Sequence, residues 1–146
     1  YLESALTSLR ELAESAAEAG VALGVETRDG YPEIPNLAEF NDVFAASDGL
    51  PVFYWHDVGH AEKQRQLGLV SPGQYLREFG TRLLGVHLHD AIMDRDHLPP
   101  GTGEVDLAAV ARRLPAGILR TLELSDRPTS EEVRAGVEVL EKLGLV

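Results

Sequence analysis

The chain has 146 residues, enough for one compact domain with a real core and too few for two. Its 44% hydrophobic and 25% charged content is that of a globular protein, and no apolar run reaches the roughly 20 residues that cross a bilayer. The absence of cysteine excludes disulfides and thiolate metal ligands together, and a formal charge of −11 weighs against nucleic acid, whose phosphates call for a basic footprint.

The first nineteen residues predict an amphipathic helix, with Leu2, Leu6, Leu9, Leu12 and Ala16 on one face and Gly20 as its stop. They lack the basic, apolar and small-residue order of a signal peptide, so the cytoplasm is the expected location. A strand, VALGVE, ends at Glu26; TRDGYPEIPN reads as a loop, and Asn36 is placed to cap a helix LAEFNDVFAAS. The second strand, PVFYWHD, ends at Asp57 and enters a turn at Gly59 and then a helix carrying Glu62, Lys63 and Arg65. Ser71-Pro72 opens a further helix, SPGQYLREFG. The third strand, LLGVHLHD, is followed by a long loop from Ala91 to Glu104 and by a helix DLAAVARRL with Asp106 as cap. The fourth strand is ILRTLEL, and Pro128-Thr129-Ser130 leads into the last helix, SEEVRAGVEVLEKLG.

One leading helix and four strand–helix units, repeated about every thirty residues, are βαβ units of a parallel sheet. Glu26, Asp57, His89 and Glu123 each follow an apolar strand, so they converge at the C-terminal ends of the strands. This arrangement matches the second half of a (β/α)₈ barrel, whose active site lies on that face and whose full length is about 250 residues. The N-terminal half is therefore expected to be missing from residues 1–146, which open on Tyr1 and a helix; a missing half-barrel or a homo-oligomer would cover the exposed sheet edges. A doubly wound open sheet is the rival, but it gathers functional residues at a switch point rather than at every strand end.

Glu26 and Glu123 close strands too apolar for an unpaired carboxylate. Ordinary ion pairs, Glu26 with Arg28 and Glu123 with Arg120 or Arg127, are the plain alternative to a shared site. In HDVGHA, Asp57 and His60 stand three apart across Gly59, which lets the backbone curl and aim both into one cleft. In HLHD, His87 and His89 share a face; the one nearer the strand end, His89, is expected to be the ligand, with His87 supporting and Asp90 holding a histidine tautomer. Arg95 and His97 lie in the long loop, where Arg95 is suited to grip an anionic or hydroxyl group. The PPGTG turn beside them lacks the spacing of either glycine-rich phosphate loop. One histidine with three carboxylates is a hard donor set that favours Mn²⁺, Mg²⁺ or Co²⁺.

In order, GVE at Glu26, D-x-x-H at Asp57 and His60, H-x-H at His87 and His89, Arg95 six residues beyond His89, the PG-x-G turn and LE at Glu123 resemble the xylose isomerase-like TIM barrels. That group spans sugar phosphate isomerases, epimerases and AP endonucleases. The resemblance covers the whole chain as the C-terminal half of the barrel. It implies one divalent metal, often Mn²⁺ with Zn²⁺ also possible, on Glu26, Asp57, His89 and Glu123. It implies substrate contacts from His60 and Arg95, which His97 in the same loop is expected to join, and an acid/base pair of Glu26 and Glu123. The implied substrate is a sugar, sugar phosphate or hydroxy-ketoacid, and the implied reaction moves a proton α to a carbonyl through a metal-stabilised enediolate. An AP endonuclease is the alternative within the fold, but Asp94-Arg95-Asp96-His97 departs from its Asp-x-His spacing. A non-catalytic half-barrel is the alternative outside enzymes; four converging ionisable side chains argue against it.

Overall fold

The computed structural model describes residues 1–30 and 32–146; of the loop predicted over 27–36, Tyr31 lies outside the described residues. In chain order the elements are α1 (Leu2–Ala19), β1 (Leu23–Glu26), α2 (Glu39–Ala46), β2 (Val52–Asp57), α3 (Val58–Gln66), α4 (Gln74–Phe79), a 3-10 turn (Gly80–Arg82), β3 (Leu83–Leu88), β4 (Asp90–Ile92), β5 (Arg95–Leu98), α5 (Leu107–Ala111), β6 (Leu119–Leu122) and α6 (Ser130–Lys142). Strands β1, β2, β3 and β6 form one parallel sheet in that order, so each neighbour pair is joined by a helical crossover. Its two edges are β1 and β6.

Period-two alternation sorts the strands into two faces. Leu23, Val25, Val52, Tyr54, Val86 and Leu88 turn toward the helices and enter two cores. The first is aromatic: Phe40 meets Tyr54 and Tyr75 edge-on, with ring centroids 5.2 and 6.0 Å apart, and Phe79 at 5.2 Å. The second gathers Val58, Leu107, Leu140 and Leu145 over β3. On the opposite face Trp55 lies flat across the sheet, and a Cβ on Gly24 or Gly85 would stand 3.0 or 2.5 Å from its ring. Those two strand glycines make room for the indole below the site.

Helix α1 packs through Leu6, Leu9, Ala13 and Ala16, whereas Leu12, expected on that face, is 57% exposed. Fully buried Ala13 marks the centre of the stripe, because a small side chain lets the helix approach closely. Asn36 caps as expected, its Oδ1 accepting the N–H groups of Ala38 and Glu39 while Glu39 accepts from the Asn36 N–H. Asp106 caps α5 through the Ala109 N–H, and Thr129 with Glu132 closes a capping box on α6, a feature worth about 1 kcal/mol.

The long loop expected over Ala91–Glu104 is in part an antiparallel hairpin, β4 with β5, turned at Met93-Asp94 with Met93 at φ 55°. Buried Asp90 organises it. Its carboxylate accepts the N–H groups of Ala91, Gly101 and Val105, so it holds backbone rather than the histidine tautomer expected of it. The PPGTG glycines serve the same contact, since a Cβ on Gly103 would stand 2.4 Å from an Asp90 oxygen.

Candidate metal centre

Glu26, Asp57 and Glu123 meet at the C-terminal ends of β1, β2 and β6, as the strand rhythm predicts. The nitrogen they surround belongs to His87: one donor atom from each of these four side chains lies within 4.8 Å of the others. His87 Nδ1 stands 2.7 Å from Glu26 Oε1, 2.7 Å from Glu123 Oε2 and 3.6 Å from Asp57 Oδ2. Its bond goes to Glu26, and Glu123 Oε2 is buried with no hydrogen bond. The plain ion pairs do not form: Arg28 pairs with Glu33 and Arg120 reaches the Gly144 carbonyl.

His89, the histidine expected among the carboxylates, contacts Asp57 alone of the three. Strand β3 stops at Leu88, and the chain then folds into the hairpin, which buries the His89 ring completely. A Cβ on Gly59 would stand 2.1 Å from His89 Cε1, so Gly59, inside α3, is needed for this close approach rather than for a curling turn. His89 Nε2 lies 2.9 and 3.0 Å from the two Asp57 oxygens, and its Nδ1 accepts the His97 N–H at 2.9 Å. Proximity to the strand end therefore did not select the histidine in the carboxylate group; the hairpin did.

Asp57 is the shared hub. It is fully buried, caps α3 by accepting the His60 N–H at 2.7 Å, and touches both His87 and His89. Burial pushes its carboxyl up, but the adjacent His87 and the hydrogen-bonded His89 outweigh that and hold it well below the usual carboxylate range. Asp57, against burial and with help from Glu26 and Glu123, lifts His87 to about 9. For His89, burial opposes charge and Asp57 favours it, with a net upward direction. The His97 N–H aimed at Nδ1 nevertheless marks that nitrogen as an acceptor, which puts the ring proton on Nε2, facing Asp57. Burial lowers His56 to about 4; its Nδ1 shares a 2.6 Å bond with Tyr54, which in turn bonds Thr27.

Around this hub, His60 donates Nδ1–H to the Thr27 carbonyl at 2.9 Å, and the His97 ring stacks on His89 with centroids 4.4 Å apart. Arg95 is exposed on β5 and lines a separate cleft with His97, Ser125 and Arg127. Two residues that sequence reading passed over as site members also belong to this region. Thr27, buried directly after Glu26, positions His60 and Tyr54. Lys63 on α3 bridges Asp29 and Asp96 at 2.6 and 2.9 Å; burial works against its ammonium, but these partners carry its pKa above the ordinary value. The position of Thr27 next to Glu26 was the available signal for the first, and nothing short of the hairpin's placement signals the second.

Parallel strands joined by helices, with acids and a histidine gathered at the strand C-termini, define an arc of a (β/α) barrel with an ionisable cluster at its C-terminal face. The chain belongs to the xylose isomerase-like TIM barrel family, whose model matches residues 1–143. The fold is similar to that of 3-keto-D-glucoside 4-epimerase from E. coli, with a TM-score of 0.74, 18% identity, and 97% of this chain on 53% of that one. It is similar to a D-tagatose 3-epimerase-like protein, with a TM-score of 0.75, 18% identity and coverage of 97% and 54%. An L-ribulose 3-epimerase gives a TM-score of 0.64 at 20% identity, over 91% of this chain and 44% of that one. No curated protein matches the chain in sequence. The chain thus spans about half the length of these barrels, and its sheet is part of one. No helix is long and apolar enough to cross a membrane among the described residues.

Proposed function

We propose that this chain carries the metal-holding part of a sugar or sugar-phosphate isomerase or epimerase, with a hydroxy-ketoacid as an equivalent substrate class. The observation that supports this most is the single His87 Nδ1 lying 2.7 Å from each of two carboxylates, Glu26 and Glu123, with a third at 3.6 Å. One ring proton cannot serve three anions, and the buried, unbonded Glu123 oxygen is left for a cation. One nitrogen and three carboxylates form a hard donor set that fits Mn²⁺ best, with Mg²⁺, Co²⁺ or Zn²⁺ as substitutes. When bound, a divalent ion there supplies Lewis acidity to a carbonyl and its neighbouring hydroxyl.

The protein's own groups divide the remaining work. Asp57, fully buried and held by His89 and the His60 N–H, is suited to be a fixed ligand. Glu26 and Glu123 come from the two edge strands, on either side of His87, and remain 28% and 40% exposed. They are the proposed acid/base pair, one taking a proton from the substrate carbon and the other returning one. His60, Arg95 and His97 are proposed substrate contacts, Arg95 from the neighbouring cleft that it lines with His97. The rest of the barrel, from a missing half or a second copy, would close the pocket opposite Trp55.

The test is deuterium wash-in. With Mn²⁺ and candidate ketoses in D₂O, the full chain should exchange the α-proton, and Glu26→Gln should lose at least about 100-fold in rate, the usual contribution of a general acid or base. Exchange that persists unchanged in Glu26→Gln would sink the assignment.

A further inference from the structure

Two more groups of potential ligands converge beside the carboxylate site, each with donor atoms within 4.8 Å: His60, His89 and His97, and Asp29, His60 and Asp96. The histidine trio does not offer three free nitrogens. His89 spends Nε2 on Asp57 and Nδ1 on the His97 N–H, and His60 spends Nδ1 on the Thr27 carbonyl. The second group is different, because a cation already stands in it. Lys63 Nζ lies 2.6 Å from Asp29 Oδ1 and 2.9 Å from Asp96 Oδ2, and that same Asp96 oxygen is 3.9 Å from His60 Nε2. The ammonium is largely enclosed, only 16% exposed, so it is held in place rather than waving at the surface.

We propose that Lys63 is the resident cation of this second position and limits the centre to a single divalent ion. The inference rests on the metal reading of Glu26, Asp57, His87 and Glu123. A divalent ion on Asp29 and Asp96 would need the same oxygens that the ammonium contacts, and the two positive charges would repel at short range. Local geometry ties the two positions together. Asp57 starts α3, Lys63 lies two turns along it, Asp29 follows Glu26 by three residues, and Asp96 hangs over both on β5. Fixing one ion suits proton transfer on a chelated carbonyl and excludes the paired-ion clamp that in-line phosphodiester displacement uses. Lys63 is thereby a specificity-determining residue for the class of reaction.

The experiment is Zn²⁺ stoichiometry by equilibrium dialysis of the full chain, with circular dichroism melting to check folding. Zn²⁺ is chosen because it binds histidine and carboxylate donors tightly. Wild type and Lys63→Arg should bind one ion, Lys63→Met should bind two, and Lys63→Met with Asp96→Asn should return to one. Two ions on the wild type, or one on a folded Lys63→Met, would overturn the proposal; the wild-type count does so even if Lys63→Met does not fold. No ion on the wild type with one on Lys63→Met would overturn the carboxylate reading while supporting the role of Lys63, so the two fail separately.

Discussion

At the strand ends one imidazole nitrogen faces three carboxylates, while beneath the hairpin three imidazoles share one carboxylate, one carbonyl and one backbone N–H. Both regions draw on the same residue types, and Asp57 belongs to both. The difference is in satisfaction. Under the hairpin His89 and His60 spend ring nitrogens on Asp57, the His97 N–H and the Thr27 carbonyl, and the acids beside them, Asp29 and Asp96, face the Lys63 ammonium; at the strand ends no such cation stands, and the one Nδ1 proton of His87 goes to Glu26 and leaves Glu123 Oε2 buried without a hydrogen bond. A set of ligating residues becomes a candidate site when its lone pairs are left over, and a framework when they are not.

The largest expected effects come from removing the two neighbouring histidines. His89→Ala takes away the partner of a fully buried carboxylate and empties the niche over Gly59, so it should cost roughly 3–5 kcal/mol in chemical denaturation. His87→Ala removes a partly exposed group and should cost less stability than His89→Ala, but should weaken Mn²⁺ binding in a calorimetric titration beyond the roughly 10–100-fold typical of an outer partner. Equal losses of stability in both variants would erase the distinction between site and framework.

Gly59→Ala sharpens the framework side. Its Cβ would collide with the His89 ring, and the shift should cost about 1–3 kcal/mol in thermal or urea unfolding. A neutral result would mean that His89 is not seated on α3.

The most gradual effect is a pH slope. His87, raised to about 9, must release its proton to ligate, so Mn²⁺ affinity should rise between pH 7 and 9 by up to roughly tenfold per unit and level off above. The sign for the metal-free protein is opposite: a raised histidine pKa contributes stability fully below its unfolded value of about 6.5, and that contribution fades as pH climbs through about 9. A flat affinity profile over this range would remove His87 from the ligand set.

By itself the sequence determined the strand–helix rhythm, the placement of Glu26, Asp57 and Glu123 at strand ends, and the caps at Asn36 and Asp106. These follow from local rules, in which apolar periodicity and capping residues act over a few positions. Only the tertiary structure decided which histidine faces the carboxylates. Alternation puts His87 and His89 on one face, but the choice depends on where β3 ends, on a hairpin held by Asp90 through contacts as far along the chain as Val105, and on a glycine thirty residues upstream that admits the His89 ring. Lys63 has the same lesson: its partners Asp29 and Asp96 both lie more than thirty residues from it, one on either side along the chain, so no local pattern could pair them. Long-range packing, which no short window of sequence contains, divides these residues into those gathered with the strand-end carboxylates and those packed beneath the hairpin.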